Sequence, residues 1–365
     1  MKQTMNLNEK YMKMFGWREN PFNFKILPEL LVGYNKQIEK LMNSITNDDK
    51  LSLLLGPTGS GKTTVLKYLF KKLNKERKVF YLSKPPRNPH EWVQIFINFI
   101  RPSIFGKIFS REKNLNIYNL SEWVNKKMKK NKIVLLVDEV HEASIETLEW
   151  LRTLADQIDN LSVIIAGLPI LENILKENLE TFLRRVNIRV ELTSLSKAET
   201  RELIKNRIEW AGGEDIKPFT SETVEYIYER TGGFPREVIR MCNELIQNAI
   251  EENITTIDTK FMIERGPSFL RSNIKTLSIT SSSINDLPSK QKKIIEILWK
   301  YGELTPNEIV ERMDLNDYKS KDNAIRSVNN ILKRLVDDGM IMRKKRGKTY
   351  QYLLSEKTRT LMVNA

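Results

Sequence analysis

Two groups of residues in this chain have types and spacing that suit phosphoryl-transfer chemistry: Gly56-Pro57-Thr58-Gly59-Ser60-Gly61-Lys62-Thr63-Thr64 and Asp138-Glu139. The first fits the phosphate-loop pattern, a glycine and a spacer followed by Gly-Lys-Thr. In such a loop backbone N–H groups turn inward around phosphate oxygens, and the next helix adds the positive end of its dipole. Lys62 is expected to reach the β- and γ-phosphates of ATP, with the Thr63 hydroxyl on Mg²⁺. The second group closes an apolar run over 133–137. At the end of a buried strand, Asp138 could hold the same Mg²⁺ directly or through water. Glu139 could orient and polarise the attacking water. Phosphoryl transfer asks a protein for positioning and charge stabilisation more than for covalent help. Two acids closing a strand could equally be solvated surface groups. Their place 75 residues after Thr63 gives them chemical meaning.

These groups work together only if a sheet holds them at one edge. Short apolar runs at 51–55, 79–82, 133–137, 163–166 and 188–192 alternate with helix-like stretches, including one at 64–72. That alternation predicts a parallel sheet covered on both faces, in an α/β domain spanning 1–193. Its lead-in carries Phe15, Trp17, Pro21, Phe22, Phe24 and Pro28 and reads as a packed irregular segment, followed by helical spacing over 31–45. Residues 194–265 lack strand-like runs. Helical patterns at 197–211, 221–231, 235–251 and about 257–264, punctuated by Gly212-Gly213 and Gly232-Gly233, predict a helical lid. Residues 266–288 read as a linker.

Residues 289–365 predict a winged helix-turn-helix domain. A helix at 289–301 precedes a shorter one at 306–313, opened by Thr305-Pro306. A longer helix over 320–338 stops at Gly339. Strands at 340–344 and 349–354 then flank Lys345-Arg346-Gly347-Lys348. The long helix region sets Lys319, Lys321, Arg326, Asn329, Asn330, Lys333 and Arg334 opposite an apolar face of Ala324, Ile325, Val328, Ile331, Leu332 and Leu335. A basic, amide-bearing face suits a helix in the major groove of double-stranded DNA. Arg343, Lys344, Lys345, Arg346 and Lys348 in the wing could cross a phosphate backbone or enter the minor groove. Residues 286–365 carry 17 Lys and Arg against 11 Asp and Glu, and the whole chain a net charge of +14. Both point to a polyanionic partner.

Composition narrows the remaining classes. No apolar run is long enough to span a bilayer, and no apolar segment follows the basic first residues, so neither a membrane partner nor a secretion signal is expected. The one cysteine, Cys242, excludes an internal disulfide framework and a cysteine-based zinc site. The two histidines, His90 and His141, leave little for metal ligation. The expected compartment is the cytoplasm. Cys242 reads as lid core, His90 as an ordinary loop residue, and His141 and Glu142 as local support or surface. The basic segment 101–119, with Arg101, Lys107, Arg111 and Lys113, fits a DNA contact or a solvated loop equally well.

Two cationic elements complete the set. Arg184 or Arg185, presented to a neighbouring subunit, could neutralise charge building on a γ-phosphate. Arg236 opens the 235–251 helix, where the dipole does not favour a cation, and could instead report the phosphates through lid movement. Taken together, these residues resemble the AAA+ ATPases over about 15–265. The phosphate loop, Asp138-Glu139, the Arg184-Arg185 pair and Gly232-Gly233-Phe234-Pro235-Arg236 occur in that family's order. Phe15-Gly16-Trp17-Arg18-Glu19-Asn20-Pro21-Phe22 looks like the ExeA/TniB group within it. So do Ala166-Gly167-Leu168-Pro169-Ile170-Leu171 and Leu192-Thr193-Ser194-Leu195-Ser196 with Glu199-Thr200. The full layout, with its C-terminal winged helix, is similar to the archaeal origin-recognition initiators. That resemblance implies an ATP- and Mg²⁺-dependent switch on duplex DNA in replication initiation, ATP-dependent self-association, and contacts with replication or recombination proteins. The ExeA/TniB likeness implies instead a transposition or plasmid-maintenance regulator. A signalling ATPase with a protein-binding winged helix is the reading from another class. One departure stands out: initiators usually carry a polar residue at the end of the fourth strand, where this chain has Gly167 or Leu168. Either another group replaces it or hydrolysis is slow.

Overall fold

The structure is a computed structural model that describes residues 7–100, 114–129, 131–265, 287–313, 318, 320–337, 340–346, 349–355 and 358. The chain forms two compact units, Ile26–Leu192 and a second one made of residues up to Lys25 together with those from Thr193 onward. The sequence reading draws a boundary at 193; the packing of the lead-in adds another at Lys25.

In the first unit, strands β1 (Leu51–Leu55), β2 (Lys78–Leu82), β3 (Ile133–Val137), β4 (Leu161–Gly167) and β5 (Val186–Glu191) form a parallel sheet in the order β2-β3-β4-β1-β5. Central strands β1, β3 and β4 are buried along their whole length, which is why they read as mostly apolar runs, interrupted by buried Ser52 and Ser162, rather than as alternating ones. Helices Lys62–Leu73, Glu91–Ile100, Leu120–Met128 and Ile145–Gln157 lie between strands along the chain. A core of Leu53, Phe80, Trp92, Phe96, Leu135, Leu151 and Phe182 fills the interior. The helix expected over 31–45 begins only at Asn35. Pro28 opens a short 3-10 turn ahead of it, and Tyr34 holds a left-handed φ of 60° at the join. Because β4 lies between β1 and β3 and all strands run the same way, the segments leaving β1 and β3 flank the end of β4 at one edge. Ligands of open α/β sheets bind at that kind of edge.

The second unit contains the four lid helices Lys197–Trp210, Ser221–Thr231, Pro235–Glu251 and Thr259–Arg265. Ser196 and Glu199 close a capping box at the first, and Pro235 occupies the first turn of the third. The lead-in docks here. Arg207 is buried and donates to three backbone carbonyls, those of Pro21 (2.8 Å), Asn23 (3.1 Å) and Lys25 (3.2 Å). Burial pushes its pKa down to about 10. Asn20 donates to the Tyr11 hydroxyl and to Asn243 Oδ1 (2.6 Å). Buried Trp17 packs among Tyr11, Phe15 and Phe22, and Gly213 leaves room for its indole. A Cβ at Gly213 would stand 2.3 Å from Trp17 Nε1 and 2.6 Å from Ile208 Cγ2. Gly213→Val is therefore expected to destabilise this unit by about 1–3 kcal/mol, as overpacked cores do, read as a lower midpoint in denaturant. An unchanged midpoint would show that the indole is not held as described.

The C-terminal segment of the same unit has helices Ser289–Tyr301, Pro306–Glu311 and Lys321–Asp337 and an antiparallel hairpin of β6 (Ile341–Arg346) and β7 (Thr349–Leu354). Its own core includes Ile294, Ile295, Leu298, Ile309, Val328, Leu332, Ile341 and Leu354. Leu304 bridges to Tyr352, tying the start of the second helix to the wing. This is the winged helix expected from the sequence. Gly339, Gly347, Lys319 and Lys348 lie outside the described residues, as do the 101–113 part of the basic insert and most of the linker.

Candidate functional site

The phosphate loop leaves β1 and enters the helix Lys62–Leu73. Gly61 caps that helix with a φ of 100°, a conformation side chains disfavour, and so lets the loop close tightly. Ser60 is fully buried, and among the described residues its hydroxyl has no hydrogen-bond partner. The Tyr34 hydroxyl donates to the Ser60 carbonyl at 2.9 Å and so pins the loop from the side. Lys62 is buried, and its ammonium donates to the carbonyls of Gly56 (2.8 Å) and Pro57 (3.0 Å). Burial pushes its pKa down, and the charges of Glu139 and Asp138 partly oppose that. Thr58 is exposed at the tip, while Gly59, Thr63 and Thr64 are half-buried.

The acids meet this loop across the end of β4. Thr63 Oγ1 donates to Asp138 Oδ2 at 2.6 Å, although 75 residues separate them. Asp138 is buried, and its Oδ1 accepts from the Glu139 backbone N–H at 2.9 Å. The Tyr81 hydroxyl, from β2, donates to Oδ2 at 3.4 Å; burial and the Asp138 charge push the phenol upward. Glu139 adopts left-handed φ 54° and ψ 34°, a conformation uncommon outside glycine and frequent at functional sites. Its carboxylate lies 3.5 Å from His141 Nε2. The loop and the acids expected from sequence are thus brought together. The paired Thr63 hydroxyl and Asp138 carboxylate are hard oxygen donors of the kind Mg²⁺ takes, and the partnerless Ser60 hydroxyl fits a cradle for an anion. His141 read from sequence as local support or surface, and Tyr34 and Tyr81, which carry no motif of their own, were not expected at the site. Only their contacts reveal them.

The three arginines expected from sequence have their own surroundings. Arg184 is exposed and donates to Glu180 Oε1 at 2.7 Å. Arg185 is exposed and lies 3.6 Å from Asp156 Oδ1. Both have local acidic partners, so geometry within the unit does not choose between them. Arg236 is exposed in the first turn of its lid helix. Cys242 is buried in the lid, as expected, and burial pushes its thiol pKa up.

On the winged helix, Ala324, Val328, Leu332 and Leu335 are buried, while Lys321, Arg326, Asn329, Asn330, Lys333 and Arg334 are exposed. Arg343, Lys344 and Lys345 are exposed along β6. The Arg343 guanidinium lies over the Tyr350 ring at 4.4 Å, which limits its motion while leaving its charge outward. Lys344 pairs with Glu303 at 3.3 Å. Arg346 ends the strand.

Residues 45–175 match the family model for the AAA domain, and residues 287–363 that for the penicillinase repressor. Over 238 residues the chain is 25% identical to an uncharacterized HTH-type transcriptional regulator of Methanocaldococcus jannaschii, covering 63% of this chain and 54% of that protein. Over 250 residues it is 24% identical to general secretion pathway protein A of Aeromonas hydrophila, covering 65% and 44%. The chain spans about half the length of these curated relatives. The solved ORC2 protein of Aeropyrum pernix, in its ADPNP-ADP complexes, superposes with a TM-score of 0.55 at 15% identity, covering 96% of this chain and 98% of that one. The α/β sheet is an AAA+ fold of P-loop NTPase type, joined to a repressor-like winged helix. Among the described residues, no helix is long and apolar enough to cross a membrane.

Proposed function

We propose that this chain, an AAA+ domain resembling the archaeal origin-recognition proteins and general secretion pathway protein A and carrying a repressor-type winged helix, is an ATP-hydrolysing switch that binds double-stranded DNA. The contact between Thr63 and Asp138 at 2.6 Å carries the nucleotide half of this reading, because it joins two distant sequence motifs in one site. Gly56 through Thr64 would cradle the phosphates of ATP, and Lys62 would exchange its two carbonyl partners for phosphate oxygens. Thr63 and Asp138 would hold Mg²⁺, which when bound neutralises charge on the β- and γ-oxygens. Glu139 would orient a water in line with the γ-phosphorus and take its proton as the bond to the bridging oxygen breaks, giving ADP and phosphate. Arg184 or Arg185 would serve as a finger toward a neighbouring copy.

The DNA half rests on the exposed cationic faces of the helix Lys321–Asp337 and of β6, beside a buried apolar face that keeps them outward. The match to a repressor family and to an HTH-type regulator supports this reading. Replication initiation is the favoured setting, supported by the end-to-end likeness of layout to the origin-recognition fold. The likeness to general secretion pathway protein A favours, as a second setting, a transposition or plasmid-maintenance regulator. One sharp peak near a replication start in a genome-wide map of bound sites would support the first, and broad sequence-independent occupancy the second.

Charge reversal in the wing tests duplex binding directly. Lys344→Glu with Lys345→Glu is expected to weaken duplex affinity by about 10-fold or more near physiological salt. The slope of log affinity against log salt should become shallower by about 2, near 0.9 for each phosphate contact removed. A slope and affinity equal to the parent's, measured by fluorescence anisotropy, would reject a DNA-facing wing.

A further inference from the structure

We infer that His141 is a positioning residue for Glu139, bridging the exits of β3 and β4 so that one carboxylate oxygen is held and the other is free to face water. This inference rests on the ATPase reading above and names how its proposed base is oriented.

Glu139 leaves β3 in the left-handed region, and the chain then makes one 3-10 turn, Val140–Glu142, closed by the Glu142 N–H on the Glu139 carbonyl at 2.9 Å. That tight turn folds the His141 side chain back over the residue two positions earlier. His141 Nε2 comes to 3.5 Å from Glu139 Oε2. The other ring nitrogen, Nδ1, accepts a long hydrogen bond from the Leu168 backbone N–H at 3.5 Å. Leu168 is the first residue after β4. A nitrogen that accepts carries no proton, so the ring proton sits on Nε2 and faces the carboxylate. The imidazole is mostly enclosed, with 15% of its side-chain surface exposed.

The charges around the ring are Glu139, Lys62, Glu142 and Asp138. Burial pushes the imidazole below its usual range, and Lys62 acts in the same direction against the three carboxylates. A neutral ring matches the tautomer that the hydrogen bond requires. Glu142 is engaged elsewhere, by Lys84 at 2.8 Å. At the end of β4, Gly167 brings no side chain, and a Cβ there would approach Leu171 Cδ2 to 2.8 Å. Among the described residues, the side-chain contact to the Glu139 carboxylate is that of His141. Long contacts of 3.5 Å are ordinary at sites that tighten when substrate binds.

Four variants of the full chain test this: His141→Ala, His141→Gln, His141→Asn and Glu139→Gln. Steady-state ATP turnover and the Kd of a fluorescent ATP analogue with Mg²⁺ are measured for each, with thermal unfolding as the folding control. His141→Ala is expected to lower kcat by about 10- to 100-fold, the usual effect of losing an orienting partner, with Kd changed by less than about twofold. His141→Gln, whose amide can donate over a similar reach, should recover part of kcat. His141→Asn, which is polar but too short to reach, should behave like His141→Ala and decides the matter if that variant does not fold. A kcat within about twofold of the parent for the folded Ala or Asn variant overturns the inference. So does a Kd that weakens as much as kcat falls, which would mark simple structural support. Glu139→Gln separates the two levels. If it abolishes turnover while His141→Ala does not impair it, only the His141 role is lost. If Glu139→Gln turns over like the parent, the assignment of Glu139 fails and takes this inference with it.

Discussion

Replacing Glu139 with glutamine is expected to reduce ATP turnover by about 100-fold or more while leaving Mg-ATP bound as tightly as in the parent. The amide has nearly the same size, so the left-handed turn and the 2.9 Å bond from the Glu139 N–H to Asp138 need not change. What is lost is the negative charge and the ability to take a proton from water. Asp138, tied to Thr63 at 2.6 Å, keeps the proposed Mg²⁺ donors in place. Binding and chemistry should therefore part company, with Kd unmoved and kcat collapsed. Phosphate release in a single turnover, set beside nucleotide affinity, checks this. A variant that turns over at the parent's rate would remove Glu139 from the chemistry.

Lys62→Ala should act on the other quantity. The ammonium is buried among loop carbonyls 2.8 and 3.0 Å away, already out of water and poised at the loop. Its desolvation has been met on folding, as the downward pull on its pKa records. A phosphate entering the loop would meet a preorganised cation. Truncating one partner of such a buried charge pair typically costs about 2–5 kcal/mol, which is on the order of 100-fold or more in Kd. Equilibrium titration with a fluorescent ATP analogue is the check. Retention of the parent affinity would mean that the loop binds phosphate through backbone N–H groups alone.

The central strands of the sheet were legible because strands buried on both faces leave predominantly apolar runs. Leu51–Leu55 and Ile133–Val137 match the sequence reading at both ends. β4 proved longer than expected, since Leu161, Ser162 and Gly167 are buried yet two of the three are small. The phosphate loop and the acid pair were legible because their chemistry depends on local order. The strand-to-helix turn around Gly61 and the strand exit at Asp138 are both set by adjacent residues.

Contacts that depend on tertiary return were not legible. Tyr34 reaches the Ser60 carbonyl and Tyr81 reaches Asp138 only once the sheet order is known. His141 read as local support. Its link to Leu168 depends on β3 and β4 being neighbours, which spacing alone does not reveal. The aromatic lead-in was visible as a motif, but its destination was not. Arg207, in a lid helix far along the chain, takes up the carbonyls of Pro21, Asn23 and Lys25, and a buried arginine within a polar helix gives no signal of that.

The central claim is that one chain joins a triphosphate site to a duplex-binding winged helix and that the first controls the second. Anisotropy of a labelled DNA duplex, titrated with the full chain in Mg-ATP and again in Mg-ADP at low salt, tests it most directly. Saturable binding is expected in both, with affinities that differ by about fivefold or more, the lower end of ordinary allosteric coupling. Superimposable isotherms, or no binding at low salt, would contradict it.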